Sequence, residues 1–461
     1  MRKVKRSFVA LVGVLVVALV AAACGSSSAP TNTTAYTPSG VPTSGPGLTS
    51  PYKPTGSKVA GGTVFFTEGS QAPPNYIFPM YTFADCSTVN IDQLMDILYR
   101  PLYWYGDNYR PTVNYNRSIG QKPTFNSSNT SVTIHFNPYK WANGESVTSN
   151  DVMLWLNVMK ASPSTEWCGF APGYFPDLIK TYSAPNPTTL VLNFDKPYDP
   201  EWVQYNVLSQ LTPIPLAWDR TSLSGCPSSG SCAALSSPPV STTTQSTKGG
   251  AAVYKFLDSQ GKSTGTWASS PLWNIVDGPF KLQSFSSSGQ VVLVPNTAYS
   301  GTPKPSISKF VELPFTSEAA IYNTIKSGGP SAVTIGTIPA QYAPQIPSLL
   351  TAGYLDNKAA YYGFNYFPIN YQSSASTSPG GEPVRFVFQQ LYFRQALQHL
   401  IDQQGWIAAY LNHTADPTCG PIPIAPPTPL VSTTAISMAP CAYSISEAKT
   451  LLSSHGWKVV P

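Results

Sequence analysis

The first 24 residues constrain all that follows, because they set the redox conditions and the solvent in which the remaining chain must fold. Arg2, Lys3, Lys5 and Arg6 form a basic head, and Phe8 to Ala23 is an unbroken apolar run. At roughly 16 residues, that run is shorter than the ~20 needed for a helix to cross a bilayer comfortably. Ala21-Ala22-Ala23 then supply the small residues of a signal-peptide cleavage site. The pattern predicts export, with residues 1–23 as a signal that is removed. An exported chain folds where cysteines are expected to oxidise.

From Gly25 to about Ser57 the sequence is almost entirely Ser, Thr, Pro and Gly. Such a segment cannot bury enough apolar area to offset the entropy of ordering it. Residues 24–57 therefore read as a flexible tether. The placement of Cys24 directly after small residues, followed by Gly25 and three serines, resembles the lipobox of bacterial lipoproteins. There the cysteine is lipid-modified and becomes the new N-terminus. The resemblance implies a body anchored through Cys24 to the outer face of the cell membrane, periplasmic or at the cell surface. Plain secretion with a free thiol is the alternative.

A chain of 461 residues fills more than one core, and at ~150 residues per domain it predicts two or three. Charged residues make up 11% of the sequence against a usual ~25%, while 46 prolines, 26 tyrosines and 10 tryptophans predict a neutral, turn-rich, aromatic surface. The formal charge of +5 overstates the basicity, because removing the four cations of the signal leaves 23 basic residues against 22 acidic ones. That balance argues against a nucleic-acid partner.

Beyond Cys24 there are six cysteines, Cys86, Cys168, Cys226, Cys232, Cys419 and Cys441. An even number in an exported chain predicts disulfides, although sequence alone does not select the pairing. Short spacing favours Cys226 with Cys232 and Cys419 with Cys441, which leaves Cys86 with Cys168. No CxxC pair or neighbouring histidine cluster supports a metal site instead.

Alternation marks strands at Val64-Phe65-Phe66, at Val132, Ile134 and Phe136, and at Leu190, Leu192 and Phe194. Thr148-Ser149-Asn150-Asp151 has the spacing of a capping box, and Val152, Trp155, Leu156 and Met159 follow on one helical face. Leu397, Leu400, Ile401, Ile407 and Leu411 predict a second amphipathic helix, and Ser444 to Glu447 cap a third running to Gly456. Ser222 to Gly250 repeats the composition of the tether and reads as a surface insertion.

The segment Lys140-Trp141-Ala142-Asn143-Gly144-Glu145-Ser146-Val147-Thr148 with Asp151-Val152 resembles a signature of the extracellular solute-binding proteins, family 5, the peptide/nickel class that serves ABC importers. Gly61-Gly62-Thr63-Val64, Tyr99-Arg100-Pro101-Leu102, Asp277-Gly278-Pro279-Phe280 and Pro295-Asn296 with Tyr299-Ser300-Gly301 are similar to that family's further segments, in its order. Phe393-Arg394-Gln395-Ala396-Leu397 with Ile401-Asp402 adds a sixth. Two departures stand out. Thr334 occupies the place where the family usually has an acidic residue. The helix ending at Gly456 and Trp457 resembles an internal helix of the family, after which relatives continue for roughly one more domain.

The resemblance implies an α/β fold, a two-lobe clamp of the periplasmic-binding-protein type with mixed sheets, whose second lobe is incomplete in this chain. The expected divisions are lobe one at 58–277, with the insertion near 222–250, and lobe two at 278–461. Its implied role is capture of peptides or similar small solutes outside the membrane and delivery to an ABC permease, as a monomer without cofactor or metal. Glu68 and Gly69 are the expected rim of lobe one, where glycine permits close backbone approach. Tyr362, Phe364, Asn365 and Tyr366 are the expected wall of lobe two, because aromatics bury large area at low entropic cost. Trp155 and Trp273 either reach the cleft or pack in the core. A sensory receptor for the same ligands is an alternative. An exported hydrolase is disfavoured, since His135, His399, His413 and His455 are scattered without catalytic spacing.

Overall fold

The computed structural model describes residues 57, 59–67, 73–106, 112–161, 167–235, 247–328, 333–356, 363–370, 384–418, 420–422 and 442–459. The signal, residues 24–56 of the tether with Cys24, and Glu68, Gly69, Tyr362, Cys419 and Cys441 lie outside the described residues. The chain divides into two compact units, the larger being Pro42–Ala360 and the smaller holding Tyr361–Pro461.

In the larger unit, the β-formers of Thr63–Thr67 (β1) run parallel to Lys309–Leu313 (β8) on one side and to Ile335–Gly336 (β9) on the other. Antiparallel pairing of Phe280–Phe285 (β6), Val291–Pro295 (β7) and β8 completes a five-stranded mixed sheet in the order β6-β7-β8-β1-β9. The first strand thus hydrogen-bonds to strands beyond residue 277, so no break in the sheet falls at the expected 277/278 boundary. Thr334 fills its place by backbone pairing, since its amide donates to the Phe65 carbonyl and its hydroxyl accepts from the Phe65 amide.

A second sheet is antiparallel throughout, in the order β2-β3-β5-β4, from Thr124–Phe125 (β2), Ser131–His135 (β3), Ile179–Asn186 (β4) and Thr189–Phe194 (β5). Val132 lies opposite Leu192 and Ile134 opposite Leu190, so the predicted alternation places four fully buried side chains on one face. A helical segment at 88–98 (α1), whose middle turn Ile91–Met95 is π-helical, precedes these strands.

The predicted cap forms through one half of the box, for the Asp151 amide donates to the Thr148 main-chain carbonyl rather than to its hydroxyl. Thr148 donates its amide and hydroxyl to Asp151 Oδ2, both at 2.7 Å, at the start of Ser149–Ala161 (α2). The expected four-residue stripe on α2 is an underestimate, because Leu154 and Val158 are buried as well. One reason is Thr247–Gly261 (α4 here, after Pro200–Asn206, α3), which packs along α2. A Cβ on Gly250 would sit 2.8 Å from the Asn157 carbonyl oxygen, so glycine is what permits this close approach. The insertion expected to run to Gly250 therefore ends inside a packed core helix. Its Cys226–Cys232 disulfide forms, and its main chain is tied to the Asn-Gly turn: Asn143 donates to the Cys232 carbonyl and the Ala234 amide to Glu145 Oε1.

Glu318–Ser327 (α5) packs with Leu349 into a small satellite cluster beside this core. In the smaller unit, the single helix expected over Leu397–Leu411 is two, Leu391–His399 (α6) and Gln403–Tyr410 (α7). Asp402 causes the break: its Oδ1 accepts from the Gly405 amide at 2.8 Å, capping α7 anew. Ile445–Ser454 (α8) follows the predicted Ser444 cap and ends before Gly456 at φ 86°. It packs on α6, where the His455 ring stacks on Tyr392 at 3.7 Å and Trp457 Nε1 donates to the Tyr392 hydroxyl.

Candidate functional site

Four of the five signature segments of the larger unit converge on one joint, and their residue types follow from its geometry. Asp277 Oδ1 accepts from the Arg100 amide at 2.9 Å, docking the Tyr-Arg-Pro-Leu segment on the Asp-Gly-Pro-Phe segment. A Cβ on Gly278 would lie 2.3 Å from the Ile97 carbonyl oxygen, so only glycine fits there. Asn296 donates to the Gly278 carbonyl, Tyr299 accepts from Arg100 Nη2 at 3.0 Å, and the Ala142 amide donates to the Val276 carbonyl. Trp141 Nε1 and the Leu216 amide donate to Asp151 Oδ1, both at 3.1 Å, so this buried carboxylate accepts four hydrogen bonds in all. Burial pushes the carboxyl pKa values up, Asp151 to about 7 and Asp277 to about 8, against the pull of these donors. Trp155 and Trp273 are both fully buried, which assigns them to packing.

Beside the joint, and wholly within the larger unit, lies a cavity of about 510 Å³. That size is ordinary for a small-molecule site. Its wall combines Asp96 with the aromatic rings of Tyr81, Tyr99, Tyr103, Trp104, Tyr105 and Trp167, and the Cys86–Cys168 disulfide lies on its rim. Tyr81 and Trp167 pack with ring centres 5.0 Å apart, and the Cys168 amide donates to the Tyr81 carbonyl. Tyr103 and Tyr105 spend their hydroxyls on the Gln121 and Gln204 carbonyls, so their rings are held in place. The Arg100 guanidinium stacks on Trp104 at 4.0 Å and couples the wall to the joint.

Asp96 follows the π-helical turn directly, and its amide reaches back to the Ile91 carbonyl. Such insertions recur at functional sites. The Asp96 side chain is solvent-exposed in the concave wall. The protein packed around it, and the Asp92 charge one turn earlier, push its pKa up to about 7, while Arg100 opposes the shift. Tyr81 is held up at about 12 by burial and by the same two carboxylates. Three polar atoms of the wall have no hydrogen-bond partner: Tyr99 OH, Trp104 Nε1 and Trp167 Nε1.

Of the expected ligand contacts, Phe364, Asn365 and Tyr366 are described, and they lie in the smaller unit. Residues 363–370 form neither strand nor helix, so strand alternation does not decide which of these side chains share a face. Phe364 and Tyr366 are 40% and 69% exposed, with ring centres 5.4 Å apart. The cavity wall was missed by sequence reasoning. Its one available signal was Asp92 and Asp96 at i, i+4, an unfavourable like-charge pair in a chain poor in charge. Among the described residues no group of three or more His, Cys, Asp or Glu could hold a metal ion, and no helix is long and apolar enough to cross a membrane.

The sequence profile of the bacterial extracellular solute-binding proteins, family 5, middle part, matches residues 121–461. That is well over half of the chain, and the protein belongs to this family. Comparison with curated protein sequences returned no match. Among solved structures, the chain is similar to the ABC transporter substrate-binding protein CtaP of Listeria monocytogenes, with 16% identity and a TM-score of 0.55 over 87% of this chain and 66% of that one. It is similar also to the periplasmic binding protein DppA of Helicobacter pylori in complex with the peptide STSA, with 15% identity and a TM-score of 0.54 over 86% and 66% of the two chains. The oligopeptide-binding protein AppA of Bacillus subtilis in complex with a nonapeptide gives 14%, 0.53, 87% and 65% in the same order. At these identities the likeness establishes the fold, an α/β periplasmic-binding-protein fold with mixed sheets. The chain spans just under two thirds of the length of each of these proteins.

Proposed function

We propose that this protein is the solute receptor of an ABC importer, exported and held at the outer face of the cell membrane through lipidated Cys24, and that it captures peptides or similar small solutes for a membrane permease. The family match over residues 121–461 carries this reading. The family is one of solute-binding rather than catalytic proteins. Two of the structural relatives were solved with peptides bound, which makes peptides the substrate class of choice. The basic head, apolar run and small residues before Cys24, with the tether behind it, support the anchor. The aromatic cavity of the larger unit joins Glu68, Gly69, Tyr362, Phe364, Asn365 and Tyr366 as candidate ligand contacts.

Native mass spectrometry of the full chain, purified without denaturation, tests the reading. The expected result is a set of adducts in the mass range of short peptides, lost on partial unfolding, with a rise in melting temperature when a peptide mixture is added. A ligand-free spectrum together with an unchanged melt would overturn it.

A further inference from the structure

We infer that the cavity of the larger unit is a cation subsite: it takes the ammonium or guanidinium of a basic peptide side chain between the rings of Tyr81, Trp104 and Trp167 and against the Asp96 carboxylate. The inference rests on the reading of the chain as a peptide receptor and names the class of peptide. Aromatic faces carry negative electrostatic potential, and a cation held over them beside a carboxylate is bound by both. Tyr81 and Trp167 pack at 5.0 Å and form one wall, while Trp104 lies at 4.0 Å from the Arg100 guanidinium. The Trp104 ring therefore already serves as a cation platform within the fold.

The charges acting on Asp96 are Asp92 on its own helix, which is repulsive, and Arg100, which is attractive. Tyr81, from the segment before α1, feels both carboxylates. Two aspartates against one arginine leave the surroundings of Asp96 short of positive charge, which a ligand cation supplies. Tyr99 and Trp167 are each more than nine-tenths buried, line the cavity, and hold a polar atom without a partner. Those polar atoms lie beneath the wall's surface, so what these residues present to the cavity is ring rather than a competing donor. The raised pKa of Asp96 adds a consequence: a bound cation favours the carboxylate, so binding strengthens as pH rises through about 7.

The test titrates the full chain calorimetrically with a lysine-centred tripeptide and with the same peptide carrying norleucine, which keeps the stem and removes the charge. Agmatine, a small guanidinium, is the third probe. The lysine peptide is expected to bind about tenfold tighter than its norleucine counterpart. Asp96→Asn is expected to reduce that ratio below about twofold. Asp92→Asn, an exposed change that leaves the Asp96 carboxylate in place, should keep the ratio and move its pH midpoint downward. Equal affinity for the two peptides overturns the cation subsite and leaves the peptide receptor standing, as does a ratio that survives Asp96→Asn. Agmatine binding that Asp96→Asn abolishes, with neither peptide bound, supports the subsite and removes the peptide reading. Binding of none of the three probes overturns the subsite.

Discussion

The joint and the cavity adjoin through Arg100 and Trp104, and the Trp141 end of the joint treats its polar atoms in the opposite way to the cavity wall. At the Trp141 end of the joint, Asp151 accepts four hydrogen bonds. On the cavity wall, Tyr99 OH, Trp104 Nε1 and Trp167 Nε1 have no partner. Within the joint itself, Arg100 Nε and Nη1 and Asp277 Oδ2 are unsatisfied as well, so the full satisfaction is a property of the Trp141 end. A hydrogen-bonded end in one place and an aromatic concave wall a few residues away separate stability from binding. Four of the signature segments belong to the joint, where they hold the unit together. The candidate ligand chemistry belongs to the second.

That division fails if variants in the two regions have interchangeable effects. The largest expected loss comes from Cys86→Ser with Cys168→Ser, because the bond spans a sequence separation of 82 and holds the Trp167 side of the cavity to the Tyr81 side. Closing so long a loop contributes about 4 kcal/mol. Urea unfolding should show a loss near that size together with a weaker peptide-induced shift; an unchanged midpoint would mean that the wall is held by packing alone.

Next in size is Gly278→Ala in the joint. The added Cβ meets main-chain oxygen rather than a movable side chain, so a loss of about 3 kcal/mol is expected. Peptide affinity of the molecules that remain folded should change little. A full loss of binding at full stability would place the joint in the binding machinery.

A smaller effect is expected from pH. Asp151 and Asp277 are held at about 7 and about 8 in the folded chain, above their ordinary value of 3.8. As pH rises from about 4 toward about 8, the unfolded chain has released protons that the folded chain retains. Stability should therefore fall across that window by on the order of 1 kcal/mol per pH unit. Asp277→Asn should flatten the slope in thermal melts taken along the series. A slope equal to that of the parent would show that Asp277 ionises normally in the fold.

Asp96→Asn gives the smallest change, with the opposite sign. The carboxyl pKa is raised on folding, so at pH 8 its ionised form disfavours the native state, and the neutral amide removes that cost. A rise in melting temperature on the order of 1 °C is expected at pH 8, shrinking as the pH falls toward about 4, where the unfolded carboxyl also takes up its proton. A site residue whose removal stabilises the fold is the pattern expected of a group kept for binding. A lower melting temperature at pH 8 would instead make Asp96 a structural residue.

What the sequence determined by itself was local. The alternation that puts Val132 and Ile134, and Leu190 and Leu192, on one face of their strands, the Thr148 and Ser444 caps and the stop at Gly456 depend on neighbours within a few positions, and each is where periodicity and cap chemistry put it. The break at Asp402 is equally local and was overlooked, because the apolar repeat across Leu400 and Ile401 outweighed an Asp-x-x-Gly cap. Family membership was legible too, since the joint needs Gly278, Asn296, Trp141 and Asp151 as those residue types and so leaves them as motifs. Tertiary structure alone decided the rest. The union of β1 with β8, the burial of Trp155 and Trp273, and the meeting of Tyr81, Asp96 and Trp167 in one wall all join segments far apart in the chain. Long-range packing chooses such partners by shape and buried area, which many aromatic residues satisfy equally well in a sequence and only one set satisfies in the fold.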